Sequence, residues 1–134
     1  MRIKKTKIYL AAGFSRKEEI KKYAAELTAL GFEITSSWLY ERISPSTELH
    51  QVTRRYLREH AQRDLTDIQK ADALVLFTQS PTKPFVRGGR MHEAGYAMGL
   101  KKPLYLCGPR ENIFHYLPGV YHCETWVVLK EKLL

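Results

Sequence analysis

Three short runs of almost unbroken apolar residues punctuate the chain: Lys7 to Ala12 (KIYLAA), Ala73 to Thr78 (ALVLFT) and Pro103 to Cys107 (PLYLC). A strand with one wet face alternates apolar and polar residues. A continuous run of this length reads instead as a strand covered on both faces, the situation of a parallel sheet between two layers of helices. Between these runs the apolar residues recur at helical spacing. Strand alternating with helix leaves few topologies, because parallel crossovers are right-handed and short.

The pass along the chain fills in that frame. Ser15 caps a helix with Glu18 and Glu19 in its first turn, and Ile20, Tyr23, Ala24, Leu27 and Leu30 form its apolar stripe up to a terminal Gly31. Phe32 to Ser36 reads as the second strand. Ser44-Pro45-Ser46 marks a turn, after which a long helix is expected from Ser46 or Thr47 to Lys70, with Leu49, Val52, Tyr56, Leu57, Ala61, Leu65 and Ile68 on its apolar face. A loop over Gln79 to Arg90 leads into a helix from Met91 to Leu100. Asn112 to Leu117 reads as one helical turn and Thr125 to Leu129 (TWVVL) as a fifth, edge strand. Trp38 and Trp126 are expected in the core, and Asp72 is read as a cap or turn residue. The expectation is one α/β domain over residues 1–134, a three-layer α/β/α sandwich. Its five-stranded, mostly parallel sheet should have the flavodoxin- or Rossmann-like order 2-1-3-4-5.

Length and composition agree with a folded domain. A chain of 134 residues with 44% hydrophobic and 27% charged residues can bury a core without staples. No apolar run approaches the ~18 residues of a membrane span, and the run after the basic start is too short for a signal-peptide core. A cytoplasmic, membrane-free protein is therefore expected. The net charge of +8 favours anionic partners (nucleotides, nucleic acid or an acidic membrane face), but the cations are spread along the whole chain, which reads as lysine-rich helix surfaces ahead of nucleic-acid binding. Cys107 and Cys123 form neither a CxxC nor a zinc spacing, Cys107 reads as a buried reduced thiol, and the five histidines show no HExxH pattern. No metal and no cofactor are expected.

In this fold class ligands bind outside the C-terminal strand ends where strand order reverses. That places Ala12-Gly13-Phe14 and the stretch from Thr78 to Glu93 around the crevice. Gly88 and Gly89 let backbone approach a ligand, the helix beginning there offers free N–H groups to an anion, and Arg87 and Arg90 suit a phosphate. Glu93 falls in that helix's first turn, where the dipole favours the ionised form and where a carboxylate suits a glycosyl-transfer nucleophile or simply stabilises the helix. Asp64, three residues before Asp67, stands beside a core stripe; it is either a proton donor with a raised pKa or half of a solvated pair. Tyr9 is either core or site. Gly13-Phe14-Ser15-Arg16 opens a helix at the switch point but is not GxGxxG. Arg110 either reaches a substrate phosphate or sits in a solvated loop.

Taken together, Lys7-Ile8-Tyr9-Leu10-Ala11 with Gly13-Phe14, Arg63-Asp64-Leu65 through Ile68 to Ala71-Asp72, Gly88-Gly89 with Glu93-x-Gly95-Tyr96-Ala97, and Lys102-Pro103 resemble the nucleoside 2-deoxyribosyltransferase superfamily, including its 2′-deoxynucleoside 5′-monophosphate N-glycosidase branch. The resemblance implies cleavage or transfer at the N-glycosidic bond of a nucleoside or nucleotide. Glu93 would be the nucleophile that forms a glycosyl-enzyme intermediate, Asp64 would orient the sugar or protonate the leaving base, and Tyr9 would position the nucleophile. It also implies a homo-oligomer whose sites are completed by a neighbouring subunit. Gly13, Phe14, Arg87, Gly88, Gly89 and Arg90 are the corresponding substrate-binding candidates. Transferases of the family often carry an acidic residue where this chain has Arg87, which points to a phosphorylated substrate and to hydrolysis or a divergent transfer. The alternatives are a phosphoribohydrolase, an NAD glycohydrolase, or a nucleotide sensor without turnover.

Overall fold

A computed structural model describes residues 5–41, 52–78 and 88–134. Its five strands are β1 (Lys7–Ala11), β2 (Glu33–Ile34), β3 (Ala73–Phe77), β4 (Leu104–Cys107) and β5 (Val120–Cys123). They form one sheet in the order β2-β1-β3-β4-β5 with every neighbouring pair parallel. The described residues also form four α-helices: α1 (Lys17–Ala29), α2 (Arg54–Lys70), α3 (Gly89–Gly99) and α4 (Trp126–Leu133). None is long and apolar enough to cross a membrane. The architecture is the expected three-layer sandwich.

The layers follow from side-chain parity along the strands. All five residues of β3 are buried, so both its faces are covered. Phe77 projects to one face, where it stacks on Tyr23 of α1 at 5.5 Å and meets Trp126 of α4 at 5.8 Å. Tyr23 and Trp126 stack in turn at 4.4 Å, so α1 and α4 share that layer. On the opposite face α2 and α3 pack together, and Gln69 Nε2 donates to the Tyr96 hydroxyl at 2.5 Å. The Trp126 indole N–H reaches Glu26 at 2.6 Å, and both tryptophans are buried as the sequence suggested.

Helix ends explain several boundaries. Gly31 has φ +100° and closes α1 in a Schellman arrangement, with Phe32 N–H on the Leu27 carbonyl at 3.0 Å and Gly31 N–H on Thr28 at 3.1 Å. At its other end α1 has no side-chain cap; Ser15 lies instead within a 3₁₀ turn (Phe14–Arg16) that leads into the helix. Leu30 is 45% exposed and does not extend the apolar stripe. Lys102 closes α2, its ammonium donating to the carbonyls of Gln69 and Ala71 at that helix's negative end. Asp72 ties the sheet's lower edge by accepting the Lys7 N–H at 2.8 Å, which is the turn role expected of it.

Three element boundaries are also corrected. The second strand is only Glu33–Ile34, because beyond it side chains replace the ladder: Ser36 Oγ accepts the Leu10 N–H at 2.5 Å and the Trp38 indole donates to the Leu10 carbonyl at 2.8 Å. The long helix begins at Arg54 behind a Thr53 cap, with Val52 outside it; Ser46, Thr47 and Leu49 lie outside the described residues. Thr125 to Leu129 is not a strand. Thr125 accepts the Val128 N–H as an N-cap, and Trp126 and Leu129 are buried at helical spacing while Val127 and Val128 face outward. The fifth strand lies just upstream, at Val120–Cys123, in register with β4.

Candidate active site

The reversal of strand order between β1 and β3 opens the sheet at its C-terminal edge, and α3 starts beside that opening. Gly88 has φ +89°, a left-handed conformation that side chains resist, and its carbonyl accepts the N–H groups of Met91 at 3.0 Å and His92 at 3.3 Å. The helix thus begins at Gly89, two residues earlier than the spacing suggests. Glu93 is consequently more than a full turn inside it, where the dipole has faded. The first-turn argument for an ionised Glu93 does not hold; burial decides instead.

From the neighbouring strand β1, the fully buried Tyr9 donates its hydroxyl to Glu93 Oε2. Burial pushes the Glu93 carboxyl up to about 8. The Tyr9 hydroxyl bond works against that rise, and the charges of Asp64 and Asp67 add to it. Tyr9 itself is held well above its ordinary value, first by burial and then by Glu93. Asp64 is also raised, again by burial first, with the neighbouring Arg63 pulling the other way. Asp64 acts electrostatically on both Tyr9 and Glu93, so the structure brings the three expected residues into one electrostatic group.

Helix α2 turns a polar face toward this group. Ile68 is buried, but Leu65 is 38% exposed and Ala61 also faces outward, so the predicted apolar stripe is displaced. Asp67 is buried and accepts both the N–H and the hydroxyl of Ser37, which pins the 3₁₀ turn Ser37–Tyr40 to the helix. Arg63 donates through one nitrogen to Glu41 and, at 3.4 Å, to Asp64 Oδ1. His60 Nδ1 lies 3.1 Å from the same Glu41 oxygen.

The remaining candidates divide. Gly13 opens the 3₁₀ turn after β1, accepting the Arg16 N–H at 2.9 Å, and Phe14 packs on Trp38 at 5.9 Å with the Lys17 ammonium over its ring at 5.1 Å. Gly88 and Gly89 present backbone at the start of α3. Arg90 points elsewhere: it is 4% exposed and forms two parallel bonds to Glu111, at 2.8 and 3.0 Å. Both ends of its fork are engaged in tying α3 to the loop after β4. Arg110 donates to the His115 carbonyl at 3.3 Å and stacks over Tyr116. Arg87 lies outside the described residues. Among the described residues no group of His, Cys, Asp and Glu is arranged to hold a metal ion.

Glu41 and Glu111 were not singled out by sequence reasoning. Each meets its arginine across 22 and 21 residues of chain respectively, so no local spacing announces the pairing.

No family model and no curated protein matches the chain. Solved structures do. The CMP N-glycosidase BcmB of Clostridium botulinum superposes with a TM-score of 0.62 at 18% identity, covering 96% of this chain and 100% of its own. The 2-deoxyribosyltransferase of Bacillus psychrosaccharolyticus gives 0.70 at 21% identity, covering 93% and 90%. A conserved protein of Enterococcus faecalis gives 0.56 at 14%, covering 95% and 86%. At these identities the likeness is one of fold: the chain shares its fold with a CMP N-glycosidase and a 2-deoxyribosyltransferase, the fold that the resemblance read from the sequence implies.

Proposed function

We propose that the chain, acting as one domain, breaks or exchanges the N-glycosidic bond of a nucleoside or nucleoside 5′-monophosphate. The observation that carries this reading is the Tyr9 hydroxyl seated on the Glu93 carboxylate beside the strand-order reversal, with Asp64 acting on both. Ionised Glu93 attacks the anomeric carbon as the carbon–nitrogen bond breaks, and the electron pair leaves with the base, which takes up a proton. Water or a second base then attacks the same carbon and frees Glu93. The transition state is cationic at the sugar, so the clustered carboxylates stabilise it. Tyr9 orients Glu93 and favours its charged form; Asp64 either orients the sugar or protonates the leaving base.

The names of two proteins sharing the fold, an N-glycosidase acting on CMP and a 2-deoxyribosyltransferase, support this reaction class. A phosphate would be received by the Gly88-Gly89 backbone and by Arg87. The Arg90 guanidinium is committed to Glu111, so it serves that phosphate only through the helix it anchors. Large apolar side chains on the turn after β4 (Ile113, Phe114 and Tyr116) are exposed, in keeping with a homo-oligomer that completes the site; sedimentation measures that directly.

The test is base release from deoxy- and ribonucleosides, their 5′-monophosphates and NAD, by wild type and Glu93→Ala. Release by wild type, reduced ~10³-fold or more in the variant, supports the reading; no release from a folded wild type, with or without an added acceptor base, overturns it. A second reading, a sensor that binds nucleotide without turnover, is favoured by the Glu93 carboxyl being protonated near neutrality. Glu93→Gln imitates that state and would leave a sensor's affinity intact.

A further inference from the structure

We propose that Arg63, anchored by Glu41, is a positioning residue that fixes the Asp64 carboxylate as an oriented anion at the crevice. The inference rests on the glycosidic reading above and chooses between the two roles that reading leaves to Asp64: it makes Asp64 an acceptor for a sugar hydroxyl and a stabiliser of positive charge, with the leaving base protonated by water.

The geometry is a chain of three charges. The Glu41 side chain is 11% exposed, and its Oε1 accepts from Arg63 Nη2; the same nitrogen also donates to Asp64 Oδ1 at 3.4 Å. Glu41 is itself fixed, its carbonyl accepting from the Lys17 ammonium and its carboxylate lying 3.1 Å from His60. His60 is in turn packed against Tyr56, with ring centroids 3.7 Å apart. Arg63 is therefore held beside Asp64 by a largely buried carboxylate. The arrangement is also not the one stability alone would choose. Among the described residues Arg63 Nε is buried with no hydrogen-bond partner, which costs stability, and Asp64 is brought toward two other acids.

Several charged groups bear on Asp64: Arg63, His60 and Asp67 on its own helix, with Glu93 on α3, Tyr9 on β1 and Glu41 beyond the Ser37–Tyr40 turn completing the surroundings of the group. Burial and Asp67 favour the neutral acid; Arg63 opposes them most strongly and His60 adds to it. Removing Arg63 should therefore let Asp64 hold its proton to higher pH, by about one pH unit for an opposite charge at this range.

The experiment follows the side-chain carboxyl carbons of ¹³C-labelled aspartate by NMR across pH, with Asp64 assigned through Asp64→Asn. The full chain is compared with Arg63→Gln, Arg63→Lys, Glu41→Ala and Glu41→Gln, and base release is measured alongside. Arg63→Gln is expected to raise the Asp64 midpoint by about one unit, and Arg63→Lys by less because the charge remains. Glu41→Ala and Glu41→Gln lose the same charge, but only the glutamine keeps an acceptor for Arg63, so the Asp64 midpoint should lie higher in Glu41→Ala than in Glu41→Gln. An Asp64 midpoint unmoved in both folded Arg63 variants overturns the inference. The titration needs no turnover, so the two readings fail separately. Absent base release with a shifted midpoint removes the glycosidic reading and leaves the Arg63–Asp64 coupling. Base release with an unmoved midpoint does the reverse.

Discussion

Tyr9 and Glu93 are 84 residues apart in the chain and share one hydrogen bond at the point where the sheet reverses its strand order. The donor is a buried phenol that keeps its proton, since burial and the adjacent carboxylate both hold it above its ordinary value. The acceptor is a carboxyl that burial pushes to about 8. One group is thus permanently a donor, and the other changes charge close to neutral pH.

A pH profile should show this. For a nucleophile that must be ionised, kcat/KM for base release rises with pH and levels off above about 8, because the free protein's Glu93 titrates there. The Tyr9 bond favours the ionised form, so Tyr9→Phe is expected to move the rising limb to higher pH. Asp64→Asn removes a like charge and should move it lower. Limbs that stay in place in both variants would show that Glu93 does not govern the rate.

The pairing of Arg90 with Glu111 leads to a stability prediction where the sequence suggested a binding one. The Arg90 side chain is 3% exposed and makes two bonds to Glu111. Removing the buried guanidinium loses the two charge-assisted bonds that tie α3 to the loop after β4, so Arg90→Gln should cost about 2 kcal/mol in denaturant unfolding. At protein concentrations and temperatures where the variant is folded, nucleotide affinity should fall by much less than for loss of a phosphate ligand. A variant of full stability with strongly weakened phosphate binding would restore the ligand role.

Much of this fold was legible because its central strands carry their own signature. IYLA (Ile8 to Ala11) and ALVLF are apolar throughout, and both become strand residues buried on both faces. Tyr9, Asp64 and Glu93 are candidates from local pattern and from the resemblance; the structure brings them together because the topology carries β1, α2 and α3 to one edge. What was not legible depends on distance in sequence. The pairs Glu41–Arg63 and Arg90–Glu111 are fixed only when the loops fold over. The last helix was misread because Trp126, Val127 and Val128 favour strands by type, whereas the decisive signals were the Thr125 cap and the burial of Trp126 and Leu129 three residues apart. The start of α3 shifted for a local reason, the left-handed Gly88, and that shift changed the electrostatics expected of Glu93.

Gly108, just after β4, should not tolerate a side chain. Its φ is +119°, and an added Cβ would lie 2.5 Å from Thr78 Oγ1 and 3.0 Å from the Thr78 carbonyl oxygen. Its own N–H is spent on the Cys123 carbonyl at 2.9 Å, so the backbone cannot easily retreat. Gly108→Ala should cost about 2 kcal/mol or more. Thr78→Ala in the same chain removes the closer contact and should recover part of that loss, giving a favourable coupling in a double-mutant cycle. Full stability of the single variant would mean that this loop is free to move away from β3.

Glu93 also links activity to stability. Its folded carboxyl is raised to about 8 from an ordinary 4.5, so the folded state holds a proton that the unfolded chain has given up. The sign follows: the stabilisation from this group is complete below about pH 4.5 and is lost as pH rises through about 8. Glu93→Gln keeps the shape and cannot ionise. It should therefore match wild type near pH 5 in this respect and exceed it at pH 8, by an amount on the order of a few kcal/mol. Thermal unfolding of both proteins at the two pH values measures the difference. A glutamine variant that loses base release while gaining thermal stability at pH 8 marks a carboxylate kept for its chemistry at the expense of the fold. A variant less stable than wild type at pH 8 would show that Glu93 is instead a structural hydrogen-bonding partner of Tyr9.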